Sequence, residues 1–415
     1  MATNTYANIV DIVPRAMNCI ENNLTLTKHV NRGYDDRFRE TGGKIGDTAN
    51  IRIPGFYNVN TGSVAVPQGY NDTYVPVQLQ QYNVPLQFTS KELRLNLDEF
   101  EENVLAPMVV PLANWIDLLG FNICTQFNQA ALNATLGNLP VDLGSCLTAG
   151  AILDEAGVPR ADNERAAILT PRSQSSIING LKTLYNPITD IARQYKEGNM
   201  GQLAAGMKFS MDQNAPTFVT GAMTSGTPLY ASGATDAGAG GAGNTIVGSG
   251  FGATVALVIG DVFTINGVYS VNPVSKISTG QLKQFTLTVA NTTASTPTLT
   301  FSPPMYLTGP LQNVSALPVA NAAVNFWGLT GTYALTATST PVNFVFHRDA
   351  LLLACADLPS VGDPSMCRRI RSKKLNLAIR LVKWYNGTTD VELYRLDVLV
   401  GWAMLRQSFG CRVHG

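Results

Sequence analysis

Near the start of the chain Ile9, Ile12, Val13, Met17 and Ile20 fall at helical spacing, which predicts one short amphipathic helix. A charged run follows, Asp35 to Glu40 with Arg37 and Arg39, in the manner of a solvated loop or of an arm laid across a neighbouring copy. From residue 47 to 90 the rhythm changes to alternation: Ile51 and Ile53, then Val75, Val77 and Leu79, then Tyr82, Val84, Leu86 and Phe88. This predicts a long hairpin whose phase slips between Leu79 and Tyr82, at a bulge or kink. Pro76 and Pro85 make these edge-like strands, because proline cannot donate to a ladder. The tip, about residues 58–73, is polar and has no core of its own. It therefore packs on its own domain or borrows stability from a partner.

A helical stripe comes next: Leu105, Val109, Leu112, Ile116, Leu119, Ile123 and Phe127, widened by Val104, Met108, Trp115 and Leu118. Asn114, Asp117, Thr125 and Asn128 mark its polar side. Thr89 with Glu92, and Asn96 with Glu99, have capping-box spacing. Carried from Asp98 to Asn133, the helix would run ~54 Å, with a kink or break near Pro107 and Pro111.

Residues 147–222 read as α/β, with a buried strand at Ala166 to Leu169 and a helix begun by Thr170-Pro171, where Ile177, Ile178, Leu181 and Leu184 face inward. Lys196 to Thr217 reads as strands and turns. At about residue 223 composition shifts, and 231–250 is rich in Gly, Ala, Ser and Thr, as in a flexible loop. Val262 to Ile265, Asn266-Gly267 and Val268 to Val271 predict a tight hairpin. Alternation at Phe285, Leu287 and Val289, then at Leu299 and Phe301, extends an all-β insertion to near residue 340, of barrel type. Asn343 to Leu353 is an apolar strand or helix start. Leu375, Leu377, Ile379 and Leu381 form a long strand that Asn386-Gly387 turns into Val391, Leu393 and Arg395, followed by Leu396 to Val400. The fold class is α+β, with the β domain inserted within the body.

Composition sharpens this picture. At 415 residues the chain is long enough for two or three domains. Charged residues are only 14%, which fits a protein that buries surface against copies of itself. Lys+Arg and Asp+Glu are both 29, unlike the basic excess of a dedicated nucleic-acid reader, although a container can enclose DNA without gripping it. Cys19, Cys124, Cys146, Cys355, Cys367 and Cys411 include no CxxC pair, so reduced thiols are expected rather than a zinc site. The first residues lack the basic start and apolar run of a signal peptide, and no run of eighteen apolar residues suggests a membrane span. Synthesis in a cytoplasm is the expectation.

Motifs that suggest chemistry each lack a required part. Gly238 to Gly243 matches GxGxxG but is flanked by loop-like sequence instead of the strand and helix that a dinucleotide site needs. His347-Arg348-Asp349 copies a kinase triplet, yet position 354 is Ala354 where a metal-binding Asn is required. His29, His347 and His414 have no ligand-spaced partners. Asp98, Glu99, Glu101 and Glu102 suit a helix start. The basic run Arg368, Arg369, Arg371, Lys373 and Lys374 is a solvated face by default, or a contact with an acidic neighbour or enclosed DNA. No enzyme, metal or cofactor is expected.

The order of parts resembles the tailed-phage major capsid fold of the Hong Kong phage type, in the branch typified by a Salmonella podophage coat protein with an inserted β-barrel. The resemblance is carried by KEGNMGQLAAGMKFSMDQNAPTF at 196–218, GDVFTINGVYSV at 260–271, NFVFHRDALLLA at 343–354 and DVELYRLDVLVGWAMLR at 390–406, with Gly401 in the usual place. It implies an N-terminal arm (1–45), an extended hairpin loop (46–90), a spine helix and peripheral domain (91–146), an apical domain (147–222 and 343–372), an inserted barrel (223–342) and peripheral C-terminal strands (373–415). It also implies a major capsid protein of the virion, assembled as hexamers and pentamers into an icosahedral head around double-stranded DNA. Portal, scaffolding and decoration proteins are the implied partners. Asn58, Tyr70 and Asp72 at the hairpin tip, Arg37 and Arg39 in the arm, and Arg368 and Arg369 are the expected intersubunit contacts. An encapsulin-like compartment shell is the alternative; a surface adhesion protein is disfavoured by the missing signal peptide.

Overall fold

Along Val391–Met404, Tyr394, Leu396, Val398 and Val400 are buried in alternation, so one face of a fourteen-residue strand meets a core. In the computed structural model this strand is the axis of a five-stranded antiparallel sheet. Its order is Leu351–Cys355, Val391–Met404, Ala378–Asn386, Cys367–Arg371, with Gln80–Thr89 on the other margin of the long strand. The structure describes residues 9–33, 48–53, 63, 73–89, 106–132, 137–140, 142–160, 162–180, 200, 203–292, 295–328, 333–360, 366–372 and 374–414. These fall into two units, one drawn from Met1–Ile53, Thr73–Gly120 and Leu351–Leu405, the other from Pro54–Asp72, Phe121–Ala350 and Arg406–Gly415.

The first unit contains that sheet, helix Ile9–Asn23 and most of helix Ala106–Cys124. The expected amphipathic helix forms, and it packs on strands Cys367–Arg371 and Ala378–Asn386. Thr48–Ile53 pairs only with Thr73–Gln78 among the described strands, with Ile51 opposite Val75. Gln80–Thr89 leaves this hairpin and joins the large sheet instead, so the phase slip at Leu79 is the point where the chain changes sheets. Gly401 makes the crossing possible. A Cβ there would stand 2.3 Å from the Gln78 carbonyl oxygen.

Helix Ala106–Cys124 is shorter than expected. It ends at Cys124, and Gln129–Leu132 is a strand; what precedes it lies outside the described residues. Asp117, assigned to the polar face, is 1% exposed. Its carboxylate accepts from the backbone N–H groups of Thr25, Leu26 and Thr27 and from the Thr27 hydroxyl, at 2.6–3.2 Å. Among the described residues this is the one helix long and apolar enough to match a membrane span, and half of that stretch is buried inside the protein, as in a core helix.

The second unit holds a mixed five-stranded sheet in the order Gln129–Leu132, Gly410–His414, Asn343–His347, Arg165–Leu169, Lys208–Met211. Its three central strands are buried at every position, so neither face shows the apolar–polar alternation of a half-exposed strand, and the interior takes in Arg165, Asn343, His347, Arg412 and His414 as well as apolar side chains. The expected helix after Thr170 spans Pro171–Gly180, and the Thr170 hydroxyl caps it by accepting from the Ser173 N–H at 3.2 Å. Helix Gly144–Glu155 and the terminal strand Gly410–His414 have no counterpart in the sequence reading.

The inserted segment forms a six-stranded antiparallel sheet in the order Val324–Phe326, Val262–Val271, Ser278–Leu287, Thr298–Ser302, Thr245–Ser249, Leu229–Ser232. Its outermost strands are joined in turn. Tyr230 N–H donates to Ala322 O at 2.8 Å, Asn321 N–H to Tyr230 O at 2.9 Å, and Val324 N–H to Pro228 O at 2.9 Å. Phe263, Phe285, Phe301 and Phe326 fill the interior, with centroid separations of 4.9–5.7 Å between neighbouring rings.

Two expectations fail here. Asn266-Gly267 is not a hairpin turn: Val262–Val271 is one strand, and the pair forms a bulge where the register with Ser278–Leu287 shifts. Gly267 supplies the positive φ of +83°, and the Asn266 N–H is held by Ala323 O at 3.0 Å. The glycine-rich stretch is a loop only in its middle: strands Leu229–Ser232 and Thr245–Ser249 take its two ends, with a short 3-10 turn at Ala237–Ala239 between them. Asp236 organises it by accepting from Gly238 N–H at 2.8 Å, Leu307 N–H at 2.9 Å and the Thr308 hydroxyl at 3.0 Å. Those bonds, the Leu307 one foremost, hold its carboxyl below the usual range.

Candidate functional site

The expected function needs surfaces, so the site is a set of edges and arms. Of the predicted contact residues, Asn58, Tyr70, Asp72, Arg37 and Arg39 lie outside the described residues. The base of the hairpin is described. Val77 is fully buried against Leu352, Ala354 and Ala403, with Ile51, Val75, Leu79 and Leu405 around them. The hairpin is thus anchored at its root by its own unit.

Arg368 and Arg369 are exposed on Cys367–Arg371, the outermost strand of the large sheet, opposite Leu381 and Arg380. Charged side chains on such a strand blunt an otherwise adhesive edge. Arg369 Nη1 lies 3.6 Å from Asp357 Oδ2 and 3.4 Å from the Leu358 carbonyl oxygen; Arg368 makes no hydrogen bond or ion pair with the described residues. Arg371 departs from the solvated-face reading. Its guanidinium donates to Asp357 Oδ1 at 2.6 and 3.0 Å, to Asn376 O and Oδ1 at 3.0 and 2.6 Å, and to Cys355 O at 3.1 Å. The three arginines of the basic run therefore differ: Arg368 has no partner among the described residues, Arg369 is half-paired and Arg371 is a structural clamp.

The residues of the kinase-like triplet have structural partners. His347 Nε2 is 2.8 Å from Asp162 Oδ2, and Nδ1 accepts from the Asp349 N–H at 3.2 Å. That arrangement places the ring proton on Nε2, and the bond to His347 leads in lowering the Asp162 carboxyl. Burial pushes the Cys146 and Cys411 thiols up to about 12 and Cys355 to about 11, so they stay protonated and unreactive at neutral pH. Among the described residues no three His, Cys, Asp or Glu side chains gather as a metal site.

Two buried charge clusters have no counterpart in the residues singled out from the sequence. Arg380 and Asp397 face each other across neighbouring strands, and Arg395 closes on the same carboxylate. Asp261, Arg412 and His414 meet between the inserted sheet and the terminal strand of the second unit, beside Trp327.

A rooted hairpin and an arginine-lined sheet edge suit a shell-building subunit, and the class of viral capsid proteins is fixed by the family to which the whole chain matches. The family model described as P22 coat protein, gene protein 5, matches residues 1–415, and the chain belongs to that family. It is a tailed-phage major capsid protein, a component of the virion's icosahedral shell. No curated protein matches it by sequence. Among solved structures it is similar to a protein of Mycobacterium phage Che8 (10% identity, 99% of this chain and 93% of that one, TM-score 0.46). It is similar to one in the capsid of the cyanophage P-SCSP1u (10% identity, 100% and 90%, TM-score 0.46). A quarter of it, 26%, matches 96% of the CUS-3 coat protein I-domain at 26% identity with TM-score 0.18. The full-length family match favours the phage coat protein over the encapsulin-like alternative.

Proposed function

We propose that copies of this chain close the head as pentamers and hexamers, with the hairpin of residues 46–90 reaching over an adjacent subunit. The observation that carries this reading is the anchoring of the hairpin: its root is packed around Val77, while its strands Thr48–Ile53 and Thr73–Gln78 pair with no third described strand. A two-stranded ribbon is marginal by itself, and a neighbouring copy supplies the missing support to its tip. Asn58, Tyr70 and Asp72 at that tip, Arg37 and Arg39 in the N-terminal arm, and Arg368 and Arg369 on the sheet edge carry the contacts.

In this reading residues 1–45 are the arm, 91–146 the spine and peripheral domain, 147–222 and 343–372 the apical domain, 223–342 an inserted barrel, and 373–415 the peripheral C-terminal strands. The bonds of Tyr230 and Val324 that join the outermost strands of the inserted sheet support the barrel. The subunit is made in the host cytoplasm, assembles around a portal with a scaffolding protein, and encloses double-stranded DNA without reading its sequence. No catalytic step is assigned to it.

The test is deletion of residues 58–73 in the full chain, co-expressed with its scaffolding partner and imaged by electron microscopy. The expected result is a folded monomer, with wild-type circular dichroism and melting, that forms no stable shells. Normal shells would remove the hairpin from the contact surface, and an unfolded monomer would place it inside the subunit.

A further inference from the structure

In the second unit a cavity of about 320 Å³ lies between helix Gly144–Glu155 and strand Ser278–Leu287. Its lining includes Glu155 and Thr148 from the helix, Lys283 and Gln284 from the strand, Ser270 from the paired strand, and Gln129. Gln284 is already engaged, since its amide accepts from Ala130 N–H at 2.7 Å and donates to Ala130 O at 2.9 Å. Glu155 and Lys283 are not. Although both line the same space, they come no closer than 4.0 Å, and neither side chain makes a hydrogen bond or ion pair with any described residue.

Both are half-buried, and neither is well solvated. Desolvation raises the Glu155 carboxyl and lowers the Lys283 ammonium to about 8. Gln129 is 8% exposed, and its Oε1 has no hydrogen-bond partner. A cation and an anion thus border one small space without satisfying each other, with an unpaired amide oxygen buried in its wall, although buried polar groups are normally paired. A simple anion bound at Lys283 would face Glu155, and a simple cation at Glu155 would face Lys283. A ligand carrying both charges meets both walls.

We propose that this cavity binds a small free zwitterion of amino-acid to dipeptide size, its carboxylate on Lys283 and its ammonium on Glu155. The volume lies at the lower end of small-molecule sites, which suits a ligand of that size. A peptide N–H in a dipeptide would also give Gln129 Oε1 its missing donor, after a small rotation of the amide into the cavity.

Isothermal titration calorimetry on the soluble full-length subunit at pH 7 tests this with glycylglycine as the probe. Acetate, methylammonium and N-acetylglycinamide supply the single-charge and neutral controls. Saturable binding of glycylglycine is expected, at least about tenfold tighter than any control. Glu155→Gln and Lys283→Gln should each weaken it about tenfold. The double exchange Glu155→Lys with Lys283→Glu should recover affinity to within about threefold, because the zwitterion can turn end for end. Melting curves check that the variants fold, and the control series on the unaltered protein stands whether they do or not. Absence of saturation, equal binding of a control, wild-type affinity in both single variants, or a double exchange no better than the singles overturns the proposal.

Discussion

Two buried charge clusters solve the same problem in opposite ways. In the first unit Asp397, wholly buried, accepts from Arg380 Nε at 3.2 Å and Nη2 at 2.5 Å and from Arg395 Nε at 2.6 Å, while Arg380 Nη1 donates to Pro359 O at 2.7 Å. Every strong partner of that carboxylate is a guanidinium. In the second unit Asp261 is equally buried, but its donors are neutral: Gly221 N–H at 3.1 Å, Val258 N–H at 2.9 Å and Trp327 Nε1–H at 3.0 Å. Arg412 lies nearby with its Cζ 5.6 Å from the Phe218 and Trp327 ring centres, and among the described residues the only hydrogen bond of its side chain is a long one from Nη2 to the Thr286 hydroxyl at 3.5 Å. Its Nε and Nη1, and both ring nitrogens of the neighbouring His414, have no hydrogen-bond partner among the described residues. The first cluster is a closed ion network on which two strands depend. The second is a cation held by ring faces beside an acid that does not need it.

The largest expected effect breaks the first cluster. Asp397→Asn leaves Arg380 and Arg395 around a neutral amide and should cost about 3–5 kcal/mol, the usual penalty for stripping one partner from a buried pair. Urea denaturation of the soluble subunit would read it as a lowered midpoint. A loss below about 1 kcal/mol would mean that water reaches the guanidiniums as readily as in an exposed pair.

The first cluster could in principle be anticipated, because Leu377, Ile379 and Leu381 alternate and Asn386-Gly387 starts the turn that sets the register. Placing Asp397 opposite Arg380 then needs only counting from Asn386 and Val391 across the ladder. The second could not be. Asp261, Trp327 and Arg412 stand 66 to 151 positions apart in the chain and are brought together by a terminal strand that gives no local signal beyond five buried residues. The same limit explains the misread Asn266-Gly267. Local chemistry marks a positive-φ site, but whether the chain reverses or bulges there is decided by Ala323 and the partner strand. Asp117 looked solvent-facing because its four donors come from residues 25–27, some ninety positions earlier. Helix Ile9–Asn23 and the hairpin strands were legible because their own spacing encodes them. The hairpin tip and the arm remain readings of sequence.

A second prediction uses pH to separate the clusters. Burial foremost, then the charge of Arg412, lowers the His414 pKa to about 3, from an unfolded value near 6.5. A base whose folded pKa is depressed binds fewer protons than it does unfolded, so its contribution is complete above about pH 6.5 and is lost as pH falls toward 3. At pH 5 the loss is about 2 kcal/mol relative to pH 7. Asp261 pulls the other way, because burial raises its carboxyl pKa, so the comparison must be made against His414→Leu. The wild type should lose stability between pH 7 and 5 by about 2 kcal/mol more than the variant. Parallel pH profiles would show that His414 finds a proton-accepting partner on folding.

The smallest expected effect is the most discriminating. Arg412→Met removes a buried charge from the second cluster, as Asp397→Asn does from the first, yet its cost should fall within about 1 kcal/mol of zero, because replacing a poorly paired buried ion by an apolar side chain of similar volume is often neutral or stabilising. The methionine can keep the space between the Phe218 and Trp327 rings, where the guanidinium sat. Asp261 is not stranded, since Gly221, Val258 and Trp327 still donate to it, although burial should raise its pKa further once Arg412 no longer opposes that shift. Losing the nearby positive charge should also raise the His414 pKa in the folded protein and so flatten the acid-side loss. A cost near that of Asp397→Asn would mean that Arg412 and Asp261 act as a true ion pair, and the distinction between a closed ion network and a ring-held cation would fail.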